Sequence, residues 1–152
     1  GEAMQKNLEL LGPIEYTASE QEFGKKIQMA TGKPQVGMDS EIRPLKATRE
    51  NPGGGSTDVG DVSWNVPNIN LGVTVAPKDT PWHSWAVVAC GGMSIGHKGM
   101  LYAAKAMGMT MVDLFKSPKL VEAVKEEYRE RKGETVYEPI IPEGPPPINA
   151  EK

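Results

Sequence analysis

The chain has 152 residues, a formal net charge of −3 and 38% hydrophobic residues, enough to bury the core of one domain and too apolar for a disordered tail. No basic cluster with interleaved aromatics is present, which argues against nucleic acid as a partner, and no apolar run approaches the ~20 residues of a membrane span. A single cysteine, Cys90, leaves no internal disulfide, and the amino terminus lacks the charged, apolar and cleavable succession of a signal peptide. A cytoplasmic location is the expectation.

Taken in chain order, Met4, Leu8 and Leu11 recur at helical spacing and stop at Gly12-Pro13, which predicts a first helix. Thr17 and Glu20 have the spacing of a capping box, and Phe23, Ile27 and Ala30 line one face of a second helix as far as Gly32-Lys33-Pro34. From Pro34 to Gly55 periodicity gives way to Pro, Gly and charge, the mark of a functional or mobile loop. Ile69, Leu71, Val73 and Val75 then alternate with Asn70, Gly72, Thr74 and Ala76, and this period of two predicts a strand that ends at Pro77.

The apolar stretch from Ala86 to Met107 predicts a buried helix whose Gly91, Gly92, Gly96 and Gly99 allow close packing. Within it Cys90 reads as a small buried hydrophobe, and His97 as a structural hydrogen-bonding group near the helix start. Five of the eight methionines fall between Met93 and Met111, and core filling is a better reading of them than a soft copper site. Thr110 with Asp113 opens a further short turn of helix. Ser117-Pro118 opens another, with Leu120, Val121, Val124 and Tyr128 as its apolar stripe before Gly133. Beyond Glu134 the chain reads as extended, and Pro145-Pro146-Pro147 suggests a polyproline covering tail. The expected architecture is α/β, few strands with several helices, over residues 1–133, followed by an extended proline-rich tail over 134–152.

Residues that carry chemistry are few. With only two histidines and one cysteine, His83 is the foremost candidate for a reactive centre, because Pro81 and the flanking Trp82 and Trp85 stiffen its segment and Ser84 offers a polar neighbour. It follows the predicted strand, and loops at strand ends are where open α/β sheets place ligands. Upstream, the glycine-rich run Gly53–Gly55 leads into Ser56, Thr57, Asp58 and Asp61. If Ser56 or Thr57 caps a short helix, the two aspartates share a face near its start, where they either bind a cation or favour the positive helix end. Calcium wants more oxygen ligands than this segment offers, and zinc wants more donors than His83 and one carboxylate.

Three segments in order, Gly55-Ser-Thr-Asp-Val-Gly-Asp-Val-Ser-Trp64, Trp82-His-Ser-Trp85 and Gly91-Gly-Met-Ser-Ile-Gly-His-Lys-Gly-Met100, resemble the C-terminal part of the aminobenzoyl-glutamate utilisation protein B family. That family lies in the amidohydrolase branch of the co-catalytic zinc peptidases, near aminoacylases and carboxypeptidases. The resemblance implies a zinc-peptidase-like (phosphorylase/hydrolase-like) catalytic domain with a two-zinc centre, with manganese as the alternative metal, and an inserted lid domain that this segment would follow. It implies that His83 is the final histidine ligand and that Asp58 matches an acidic position near the site, although Thr57 and Val59 replace its usual neighbours. Ser56, Asp61 and Ser84 are then pocket-lining or supporting residues, and no catalytic base falls in the segment.

Two functions follow as alternatives. The first is part of an amidohydrolase that cleaves the amide bond of an N-acyl or aminobenzoyl amino acid; its partners would be a small amide substrate, the upstream part of the same protein, and a second copy or related subunit. The second is a binding or interaction module that keeps part of the fold without catalysis.

Overall fold

The computed structural model of the protein describes residues 1–45, 57–139, 141 and 144. Among these residues six helices follow in order: α1 (Glu2–Leu11), α2 (Ala18–Ala30), α3 (Val59–Ser63), α4 (Trp85–Gly91), α5 (Ser94–Lys116) and α6 (Pro118–Lys132). α5 is the long central rod, and α1, α4 and α6 each pack against it.

Local signals set most of the boundaries. α1 stops at Gly12, whose φ of 73° is a left-handed conformation that glycine adopts without a Cβ penalty. Its end is also held from α5, where the Tyr102 hydroxyl reaches Gly12 O at 2.9 Å and Leu8 O, which already accepts from Gly12 N, at 3.2 Å. On the buried side of α1, Asn7 donates from Nδ2 to Thr110 Oγ1 at 3.1 Å and to Asp113 Oδ2 at 2.8 Å. α2 begins with the expected capping box: Thr17 N donates to Glu20 Oε2 at 2.7 Å, and Glu20 N donates to Thr17 Oγ1 at 3.3 Å. α6 starts at Ser117-Pro118, with Ser117 Oγ accepting from Leu120 N at 3.2 Å, and ends at Gly133 with φ 55°.

Glu20 does more than cap. Its carboxylate is buried and collects donors from α5, Ser94 Oγ on Oε1 at 2.7 Å and Lys98 Nζ on Oε2 at 2.6 Å. Those bonds, Lys98 foremost, hold its carboxyl well below the usual range, at about 2. Lys98 also donates to Glu15 O at 2.8 Å and lies over the Tyr16 ring, 5.7 Å from its centre. The Tyr16 phenol is pushed up to about 12, first by burial and then by the charges of Glu20 and Asp39.

The core is small: Ile27 of α2, Met38 of the following loop, Ala86 and Cys90 of α4, and Ile95 of α5, with Tyr16, Phe23, Ala76 and Ala89 packed around it. Cys90 is buried as expected, and burial pushes its thiol up. At the edge of the core, the fully buried amide of Gln28 works as a clasp. Its Nε2 donates to Lys78 O at 3.0 Å and to Gly37 O at 3.3 Å, and its Oε1 accepts from Gly37 N at 2.7 Å. Two loops remote in sequence are thereby fixed to one helix.

The expected α/β architecture is not found: the described residues form an all-helical structure with no strand or sheet. Segment 69–76 carries the period-two pattern, but alternation only sorts side chains to two sides, and a strand also needs a second backbone to pair with. The polar partners of Thr74 are instead Tyr16, whose hydroxyl donates to Thr74 O at 3.4 Å, and Asp39, whose carbonyl accepts from Thr74 Oγ1 at 2.7 Å. The segment leans on α5 at Gly99, where a Cβ would come within 2.4 Å of Thr74 O and 2.7 Å of Val75 Cγ1.

Three smaller expectations also change. The predicted helix from Ala86 to Met107 is divided into α4 and α5 at Gly92 and Met93, and α5 then continues unbroken through Thr110 and Asp113 to Lys116. Gly96 and Gly99 do make close approaches, whereas a Cβ on Gly91 or Gly92 would meet open space. Most methionines of the α5 region do not fill the core: Met93, Met100, Met107 and Met111 are exposed and Met109 is half-buried, while the buried methionines among the described residues are Met4 and Met38.

Two outcomes test this packing. Gly99→Ala forces a methyl group against a backbone carbonyl, so it should cost about 1–3 kcal/mol in denaturant unfolding; an unchanged midpoint would show that segment 69–76 does not rest on α5. Glu20 has a lowered pKa in the folded state, so its stabilisation is present above the ordinary value of 4.5 and is lost as pH falls toward about 2. The stability gap between wild type and Glu20→Gln should therefore be full at neutral pH and close across that window, and a gap independent of pH would contradict the ion-paired carboxylate.

Candidate functional site

His83 lies on the connection into α4, and two short-range turns shape that connection. Thr80 N and Oγ1 both donate to Pro77 O, at 3.2 and 2.6 Å, and Ser84 Oγ donates to Pro81 O at 2.6 Å. Thr80 is buried, whereas Pro81, Trp82 and His83 are exposed. Asp79 and His83 have φ values of 62° and 59°, the left-handed region that L side chains enter at a cost. Such residues persist where their surroundings hold them, and here the Thr80 and Ser84 turns and the start of α4 do so. The result is a stiff loop that presents one imidazole to solvent at the amino end of a helix.

Ser84 closes its own turn on Pro81 O, so it shapes the backbone beneath His83 rather than orienting the ring. The aspartates stand at the start of α3. Asp58 is the N-cap residue of α3 without a side-chain cap bond, Thr57 Oγ1 accepts from Val59 N at 3.3 Å, and Asp61 lies in the first turn. Asp61 Oδ1 accepts from the Tyr137 hydroxyl at 2.5 Å, a bond that raises the tyrosine's pKa. Tyr128 of α6 donates to Trp64 O at 2.5 Å, so α3 is tied to the far end of α6 and to the chain beyond it. Ser56 and the Gly53–Gly55 run lie outside the described residues, as does Pro145-Pro146-Pro147. His97 is exposed on α5.

Among the described residues no three His, Cys, Asp or Glu side chains stand together as a metal site requires. His83 is a single donor. A catalytic zinc takes about three protein ligands, so the described residues do not fit the ion by themselves.

Two concavities lie along segment 72–77. One of about 350 Å³ is lined by Leu8, Ile14, Asp39, Arg43, Thr74 and Tyr102. Another, of about 710 Å³, shares Asp39, Arg43 and Thr74 and extends along Pro77–Thr80 to Trp82, next to His83. Arg43 and Asp39 form an ion pair at the junction of the two. Sequence reading passed over this pair; its signal was opposite charges four residues apart inside a loop with no helical pattern.

Among known proteins, the chain is 38% identical over 110 residues to the B subunit of p-aminobenzoyl-glutamate hydrolase from Escherichia coli (strain K12). This chain is a relative of that hydrolase subunit. The match takes in 72% of this chain and 23% of the hydrolase subunit, so the chain spans about a quarter of the length of the curated relative it matches. No family model and no solved structure matches it. The relationship agrees with the resemblance carried by the Gly55–Trp64, Trp82–Trp85 and Gly91–Met100 segments. Among the described residues no helix is long and apolar enough to cross a membrane.

The left-handed backbone at His83 makes its own prediction. His83→Gly should leave unfolding stability unchanged or raise it by up to about 1 kcal/mol, while His83→Val should lower it by about 1–3 kcal/mol. Equal effects of the two substitutions in thermal unfolding would show that the loop does not hold this residue in the left-handed region.

Proposed function

We propose that the chain is part of a metal-dependent amidohydrolase of the cytoplasm that cleaves the amide bond of an N-acyl or aminobenzoyl amino acid. The observation that carries this reading is its 38% identity, over 72% of its length, to a subunit named for hydrolysing p-aminobenzoyl-glutamate. His83 is the proposed metal ligand. Two properties support that role: an accessible imidazole, and neighbouring turns that shape the backbone from which the side chain leaves the loop.

The chain's own part in this proposal is limited to binding and orientation. The remaining donors, the second metal position and the general base come from polypeptide corresponding to the unmatched 77% of the relative, which is what remains beyond the 23% covered. Asp58 and Asp61 stand at the start of α3 as the proposed pocket or supporting residues, and Ser84 is the residue that shapes the His83 turn.

The test uses the intact gene product from its natural source, and p-aminobenzoyl-glutamate as substrate, with release of free p-aminobenzoate as the readout. Cleavage should be lost on chelation and restored by zinc or manganese. His83→Ala should lower kcat/KM by about 100-fold or more and reduce the bound metal. Cleavage and metal content unaffected by His83→Ala would remove that residue from the centre. A folded product with no amide cleavage would leave the binding-module function instead.

A further inference from the structure

We propose that the stretch beyond α6 is a strap that fixes the acidic turn of α3 in place, with Tyr137 as the positioning residue for Asp61. Packing does little for this short helix: none of its residues is buried, Val59 is half-buried, and residues 60–66 are exposed. Its local bonds, from Ser63 Oγ to Gly60 O and from Asn65 Nδ2 to Asp61 O, both at 2.8 Å, shape the turn without setting where it lies on the molecule. Two ties from far along the chain do that. The Tyr128 hydroxyl donates to Trp64 O and the Tyr137 hydroxyl to Asp61 Oδ1, each at 2.5 Å.

The chain after α6 is shaped to deliver the second tie. Gly133 ends the helix with a φ of 55°, which glycine adopts freely, and Thr135 N donates to Lys132 O at 3.3 Å, so the chain turns as it leaves. Over residues 133–139 Tyr137 alone is half-buried, between exposed neighbours. It is therefore the residue of that stretch which makes contact with the rest of the molecule.

The two ties divide the work. Tyr128 grips backbone at the C-cap of α3 and sets where the turn lies, while Tyr137 grips a side chain in its first turn and sets how the turn is rotated about its axis. Asp58 and Asp61 stand three apart on that turn, so one rotation places both carboxylates. A carboxylate that gives one oxygen to a fixed donor loses its free spin, and its second oxygen is held in one place, as a residue supporting a reactive centre requires. The placement of α3 follows from the bonds by themselves; its effect on cleavage rests on the hydrolase proposal.

The test uses the intact gene product with Tyr137→Phe, which keeps the ring and removes the donor, with Asp61→Ala, and with both together. In Tyr137→Phe, hydrogen–deuterium exchange over residues 57–66 should quicken by about 3-fold or more, the scale of one net hydrogen bond. Cleavage of p-aminobenzoyl-glutamate should lose about 10-fold in kcat with KM changed by less than about 2-fold. The double variant should be no slower than Asp61→Ala, because the phenol acts through that carboxylate. Unchanged exchange over 57–66 in Tyr137→Phe would overturn the strap whatever the activity, and additive losses in the double variant would overturn the positioning role. A wild type that cleaves nothing would overturn the hydrolase proposal and the effect on kcat with it, while the exchange measurement still decides the strap.

Discussion

The carboxylate of Glu20 is the interaction on which the arrangement of helices depends. A buried carboxylate is costly unless its lone pairs are filled, and here they are filled from three places: the Thr17 backbone at its own helix start, the Ser94 hydroxyl and the Lys98 ammonium. Two of those donors belong to the first turns of α5, so the start of α2 and the start of α5 are tied together at one point. Lys98 extends the junction to the α1–α2 connection through Glu15 O and the Tyr16 ring. With an apolar core of only a few residues, such a polar junction fixes the orientation that packing by itself would leave loose.

Much of the helical frame was legible because its signals are local. Gly12, the Thr17 and Glu20 pair, Ser117-Pro118 and Gly133 each act within one turn of where they stand, and each bounds the helix that its residue type implies. The α/β reading failed because strand formation is not local: the alternation of Ile69 to Ala76 is real, but its partners are a tyrosine hydroxyl, a loop carbonyl and a glycine face. Thr110 and Asp113 misled for a related reason. Thr110 Oγ1 donates to Ala106 O at 2.9 Å within a continuing helix, and both side chains are recruited by Asn7 of α1, 103 and 106 positions away in sequence.

The site was legible to a smaller extent. Rarity and stiff neighbours singled out His83, and its loop is indeed tightly turned, but the left-handed conformations of Asp79 and His83, held between the Thr80 and Ser84 turns, left no mark on composition. Asp58 was tied to the site through the resemblance and Asp61 as its neighbour on the same turn; the hydroxyl of Tyr137, 76 positions further on, is the partner of Asp61 that no local pattern announced. The methionines show the same limit. Composition gives their apolar character, yet only the rotation of α5 decides that Met100, Met107 and Met111 face outward.

Gln28 has a consequence for motion. Its amide grips the Gly37 N–H and the carbonyls of Gly37 and Lys78, in stretches of chain that belong to no helix. Backbone without regular structure ordinarily trades its amide protons with water quickly. The Gly37 proton is instead released only when a fully buried side chain lets go, so its exchange keeps time with the opening of α2 from the core. The loops on either side of the clasp therefore breathe with a helix, and the approach to the His83 turn inherits the slow clock of the interior.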